Sequence, residues 1–280
     1  MQEVCGSLLQ QATAADRISS RMRDAIRMCV GMRESSYLAD WRQREVLLVL
    51  GLALATLLIW RLPGVGWLLY PFQVFGTFVH ELSHGLAAIL TGGQFARFLV
   101  RPDLSGTALS AGGIRWIVTS AGYLGSAIFG GVLTLLSASS VPARRVLFWL
   151  GVTLGIMSLL FVRNLFGLAA GAALAGLLIV AGRKLREPWA DGLVLLLAVQ
   201  MMLSALDSVA DLVLISAVSG ATRTDAQIMA QATGIPAMIW AVLWSGLSLA
   251  ILLVSLRVAY RRPPPALENQ VRPASSTSFP

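Results

Sequence analysis

"FVHELSHGLAAIL", residues 78–90, sets two histidines and a glutamate into a run that otherwise reads as membrane interior. A charged side chain at the bilayer centre costs about 3 kcal/mol even on lenient scales, so such residues are rare and usually functional. The chain has only two histidines, and both are here, His80 and His84.

His80-Glu81-Leu82-Ser83-His84 is the pattern H-E-x-x-H. On a helix, positions i and i+4 share a face, so both imidazoles reach one metal ion. Zinc suits the site because it takes nitrogen and carboxylate ligands tetrahedrally and lowers the pKa of a bound water to about 7. Glu81, beside the first ligand, is placed to take that water's proton and leave a hydroxide aimed at a carbonyl. A lone buried histidine is ordinarily a satisfied core residue. Two of them with a carboxylate in one span ask for a metal.

Composition puts this motif in a bilayer. The 280 residues are 56% hydrophobic and 13% charged, with a mean hydropathy of +0.72, whereas soluble domains carry about 25% charge. The net charge of +8 comes from 22 Lys+Arg against 14 Asp+Glu. The basic residues stand at the ends of apolar runs, where membrane proteins use them for anchoring, so no nucleic-acid partner is expected. Cys5 and Cys29 have no metal or redox spacing and read as free thiols. No cleavable signal peptide is visible.

The expected fold is an all-α polytopic membrane protein of about seven transmembrane helices, with a short β-hairpin after the motif-bearing helix. The apolar runs fall near 46–60, 66–90, 114–138, 146–162, 165–182, 190–216 and 235–257. "ARR" at 143–145, "VRN" at 162–164 and "GRKLREP" at 182–188 separate the middle ones. "TGGQFARFLVRPDLSGTALSAGG" at 91–113 reads as two strands turning near Pro102–Gly106, with Gly92, Gly93 and Gly106 permitting the turns. Gly151 with Gly155, and Gly167 with Gly171, suit close helix packing.

Residues 46–258 then form one membrane domain. Residues 1–45 are polar, with Ala15, Ile18, Met22, Ile26 and Cys29 at helical spacing between arginines. They are expected to form an interfacial amphipathic helix or a poorly ordered leader. The proline-rich tail, 259–280, is expected to be disordered.

A hydrolytic zinc takes three protein ligands and keeps an open position, so a third ligand is needed. Successive spans alternate in direction, so the second, fourth and sixth run the same way. Asp207 and Asp211 in "SALDSVADLVL" lie past the middle of the sixth span, at the depth of the motif. Asp207 is the expected ligand and Asp211 the alternative. The competing pair Glu187 and Asp191 in "EPWAD" is set aside, because Pro188 interrupts the helix and parity places Glu187 on the other side of the membrane. Asn164 is expected to cap the turn between spans, or to bind a substrate carbonyl.

The stretches "FVHELSHGLAAILTGG", "RFLVRPDLSGTALSAGG", "TSAGYLGSAIFGG" and "ALDSVADL" resemble the site-2 protease family of intramembrane zinc metalloproteases. The likeness is to a short bacterial branch without a PDZ domain. It implies His80 and His84 as zinc ligands, Glu81 as catalytic base, and an aspartate from a later span as third ligand. That aspartate usually stands in an L-D-G or N-P-D-G context, whereas here it is Leu206-Asp207-Ser208. The resemblance also implies strands beside the site, residues 96–110, on which a substrate pairs as an added strand.

The expected protein is therefore a multi-pass zinc endopeptidase of a bacterial cell membrane, acting on a membrane-embedded or membrane-adjacent protein segment. Its expected partners are that membrane protein substrate and the lipid bilayer. One rival is a non-catalytic zinc-binding scaffold, which would need no base at Glu81. A metal-dependent transporter would spread carboxylates over several spans.

Overall fold

In the computed structural model, residues 47–59, 62, 64–206 and 224–260 are described. The sequence-based expectations for Cys5, Cys29, the N-terminal segment, the C-terminal tail, Asp207 and Asp211 lie outside these residues. Val49–Ala259 form one compact unit.

Helix α1 covers Leu47–Ile59. A short 3-10 turn, Gly66–Leu69, leads into α2, Tyr70–Leu90, whose Pro71 stands in the first turn, where a missing N–H costs nothing. Strands β1, Gln94–Val100, and β2, Gly106–Ala111, form an antiparallel hairpin. Then follow α3, Arg115–Ser137; α4, Ala143–Phe161; α5, Leu165–Lys184; α6, Glu187–Leu206; α7, Asp225–Thr233; and α8, Ala237–Ala259. Among the described residues α3, α4, α5 and α8 are long and apolar enough to cross a membrane.

Two boundaries differ from the expectation. "ARR" at 143–145 is the first turn of α4 rather than a linker, because Pro142, at the N-cap, starts the helix just before it. Only Leu185 and Arg186 separate α5 from α6. Pro188 does not interrupt α6 but lies in its first turn, where the ring is tolerated.

The core is built where α2, β1, α4 and α6 meet. Phe75 and Phe78 of α2, Phe98 and Val100 of β1, Leu147 of α4 and Met201 of α6 are all essentially inaccessible. Phe98 sits edge-on to Phe78 at 5.6 Å, and Phe95 stacks on Phe161 of α4 at 4.6 Å. The hairpin is thereby anchored through β1, while β2 stays largely exposed.

Helices approach closely through small residues; of the glycines singled out by spacing, Gly151 and Gly171 lie against neighbouring helices, whereas Gly155 has ordinary room and Gly167 meets Val162 and Asn164 just before its own helix. A Cβ at Gly151 of α4 would come 2.8 Å from the Ala175 carbonyl of α5. One at Gly182 would come 2.6 Å from the Arg144 carbonyl, and one at Gly130 of α3 would come 3.0 Å from the Ala198 carbonyl of α6.

Candidate metal centre

His80, Glu81 and His84 lie on α2, the histidines one turn apart as the motif requires. The two Nε2 atoms are 3.1 Å apart. A third donor joins them from α7: Asp225 Oδ2 lies 3.0 Å from His80 Nε2 and 3.3 Å from His84 Nε2. Among the described residues these three are the group of His, Cys, Asp and Glu able to hold a metal ion.

The triangle fits zinc. Ligands at about 2.0–2.1 Å from a tetrahedral ion stand about 3.3 Å from one another. The protons also fit. His84 Nδ1 is 2.7 Å from the Val118 carbonyl, which can only accept, so this nitrogen donates. A neutral His84 therefore turns its Nε2 lone pair toward the Asp225 carboxylate. Two acceptors at that separation repel unless a cation or a proton lies between them. An outer partner of this kind is also what fixes the ring orientation of a metal-binding histidine.

Three helices shape the pocket. Gly122 of α3 faces both histidines, and a Cβ there would overlap His80 Nε2 and His84 Nε2. Gly125, one turn on, gives the same room to Ser83. The Tyr123 ring meets His80 edge-on at 4.8 Å and stacks on Trp244 of α8 at 5.5 Å. Trp244 in turn donates from Nε1 to Ser120 Oγ at 3.1 Å.

Asp225 is the first residue of α7. Thr224 and Gln227 form a reciprocal capping box that fixes this helix start, and an acid in the first turn is favoured by the helix dipole. Buried Ala226 and Met229 pack with Ala241 and Trp244 of α8 and against Tyr123 of α3. The carboxylate is therefore held by a packed element.

Glu81 is 5% exposed and points to the hairpin. β2 passes so close to its carboxyl that a Cβ at Gly106 would overlap it. Glycine at 106 is thus needed for close approach rather than for a turn, since its φ is not positive; of Gly92, Gly93 and Gly106, only Gly92 takes a left-handed φ. The hairpin is pinned along α2: Tyr70 Oη donates to the Pro102 carbonyl at 2.7 Å and Thr77 Oγ1 to the Leu104 carbonyl at 3.0 Å. Leu104 takes a left-handed φ of 68°, a strained conformation for a non-glycine residue. In the same exposed turn Ser105 donates from its hydroxyl and its N–H to Asp103, holding that carboxyl below its usual range.

Asn164 does not cap a helix with its side chain. Its Nδ2 donates to the Val100 carbonyl at 2.6 Å and its Oδ1 accepts from the Val100 N–H at 3.2 Å. Together with the Phe98–Val162 bridge it covers the outer edge of β1. Among the described residues no strand pairs with the outer edge of β2, the one beside Glu81.

The structure leaves Glu187 and Asp191 far from this centre. Met201 of α6 packs at Gly76, one turn before His80, and Glu187 lies about 20 Å back along the same helix. The sequence reading missed Asp225, Gly122 and the Val118 carbonyl. The one available signal for Asp225 was its place after Thr224 in a T-x-x-Q capping pattern, which marks a helix start carrying a carboxylate.

A family model described as Peptidase M50B-like matches residues 48–255, well over half of the chain and spanning every group above. No curated protein and no solved structure matches it.

Proposed function

This chain belongs to the peptidase M50B-like family, and we propose that it is an intramembrane zinc endopeptidase acting on a membrane-embedded or membrane-adjacent protein segment. The observation that carries the reading is the convergence of His80 Nε2, His84 Nε2 and Asp225 Oδ2 at 3.0–3.3 Å beside a buried glutamate that is not one of them. His80, His84 and Asp225 hold the ion. When bound, zinc supplies the Lewis acidity that makes water a nucleophile at neutral pH.

Glu81 has the role of base. Its carboxylate accepts a proton from the attacking water and returns it to the amide nitrogen that leaves. Gly106 gives this carboxyl its room against β2. The substrate adds as a strand along β2. A helical segment must give up its internal hydrogen bonds before a peptide bond is open to attack, and a strand edge replaces them. The chain crosses a bacterial cell membrane about seven times, with the described spans joined by the apolar runs at 46–60, 66–90 and 190–216.

Two measurements test this. Elemental analysis of the detergent-purified chain should find about one zinc per molecule, near none in Asp225→Ala, and an unchanged content in Asp207→Ala and Asp211→Ala. Loss in Asp207→Ala with retention in Asp225→Ala would move the third ligand to the earlier aspartate. Second, membrane proteomes of cells carrying the parent or Glu81→Gln should differ by uncleaved membrane proteins that accumulate only with the variant. Identical proteomes, with zinc still bound, would leave a zinc-binding scaffold.

A further inference from the structure

One face of α8 stands behind two of the three donors at the metal centre. Trp240 and Trp244 lie one turn apart on that face, their ring centroids 6.0 Å from each other. Trp244, 1% exposed, backs Tyr123 and through it the His80 ring, and its Nε1 is tied to Ser120, one turn before Tyr123 on α3. Trp240 reaches the other way, to the helix that carries Asp225. Its Nε1 donates to Thr233 Oγ1 at 3.1 Å.

Thr233 is the last residue of α7, and its hydroxyl has no capacity left. It donates to the Met229 carbonyl at 2.7 Å and accepts from Trp240 and, at 3.3 Å, from the Ile235 N–H. A hydroxyl has one proton and two lone pairs, so these three bonds saturate it. They join the end of α7, the turn at 234–236 and α8 at one atom. Asp225 stands at the opposite end of α7, about 12 Å away along the helix. Between the two ends, the buried residues are Ala226 and Met229, packed against α8 and α3. A seam that narrow resists lifting better than it resists rocking. A metal centre tolerates little of either, since its ligand distances hold within about 0.2 Å. The bond at Thr233 acts at the far end of α7, where its leverage over rocking is greatest.

We propose that Trp240 is a positioning residue of the metal centre: by holding Thr233 it fixes the tilt of α7 and so keeps Asp225 Oδ2 on His80 and His84. Trp244 backs His80 from the same face, so α8 sets a ligand of α2 against a ligand of α7. The inference rests on His80, His84 and Asp225 being zinc ligands and on nothing about peptidase activity.

The test is the zinc affinity of the full-length, detergent-purified chain, measured by competition with a chelator, together with the visible absorption of the cobalt-loaded protein. Trp240→Phe keeps a ring beside Trp244 and removes the N–H. Thr233→Val keeps the volume and removes the hydroxyl. Each should lose about fivefold in zinc affinity, the effect of one hydrogen bond. The double variant should lose no more than Thr233→Val alone, because both changes break the same bond. Thr233→Ser, which restores the hydroxyl, should bind zinc as the parent does, and so should Trp189→Phe, at an exposed tryptophan of α6. The cobalt absorption follows the geometry around the ion, so it should move in Trp240→Phe and Thr233→Val and stay in Thr233→Ser. Unchanged affinity in Trp240→Phe and Thr233→Val, an equal loss in Thr233→Ser or Trp189→Phe, or a loss with the cobalt absorption unmoved would overturn the proposal and leave the zinc centre standing. A parent that binds no zinc would overturn the zinc reading itself, and the proposal with it.

Discussion

The α2–α3 contact and the α4–α5 contact solve one problem, bringing two apolar helices close, by different chemistry. At α4–α5 the approach is through absent side chains: Gly151 under the Ala175 carbonyl, Gly182 under that of Arg144. At α2–α3 glycines again make the room, but the space is filled by His80, Ser83 and His84 facing Gly122 and Gly125. The first seam asks only for volume. The second asks for volume and for a partner for every polar atom, because an unpaired polar group out of water costs about 1–3 kcal/mol. Packing and chemistry are thus separable at α4–α5 and inseparable at the metal centre.

The sharpest way to break that comparison is Gly122→Ala. One added methyl removes no donor, yet it overlaps both Nε2 atoms, so zinc affinity should fall about 10–100-fold, the range seen when the surroundings of a metal ligand are disturbed. A zinc titration on the folded variant measures it. Unchanged affinity would mean the histidines turn away from α3 at no cost.

Gly151→Val tests the other seam. Overpacking should cost about 1–3 kcal/mol of stability while zinc per folded molecule stays at the parent value. Thermal melts and elemental analysis on one sample read both. Loss of zinc there would show that the two seams are coupled. The smallest expected effect is at Asn164→Ala, which removes the two hydrogen bonds to Val100 and should cost about 1–2 kcal/mol, felt locally. Hydrogen exchange over residues 96–100 should quicken and that over 106–111 should change less. The reverse order would mean that the outer edge of β2 depends on this clamp.

The hairpin region shows why some of the site was legible and some was not. The H-E-x-x-H spacing is local: four residues on a helix fix a shared face whatever else the chain does. The turn near Pro102–Gly106 was legible for the same reason, since Gly and Pro punctuate backbone locally. Asn164 shows the limit. Its position between two spans was evident, but caps and strand clamps use the same amide, and only the placement of β1 beside it selects the second.

The sequence by itself determined the membrane setting, the shared face of His80 and His84 on α2, the hairpin after it and the close approach at Gly151, because each follows from composition or from periodicity within one element. The tertiary structure alone decided which acid meets the histidines, which carbonyl orients His84 and which glycine leaves them room. Those partners come from α3 and α7, 34 to 145 residues away along the chain. Parity of spans fixes a depth in the membrane. It does not fix which helix faces which, and a carboxylate carried on a short capped helix belongs to no span that parity could count.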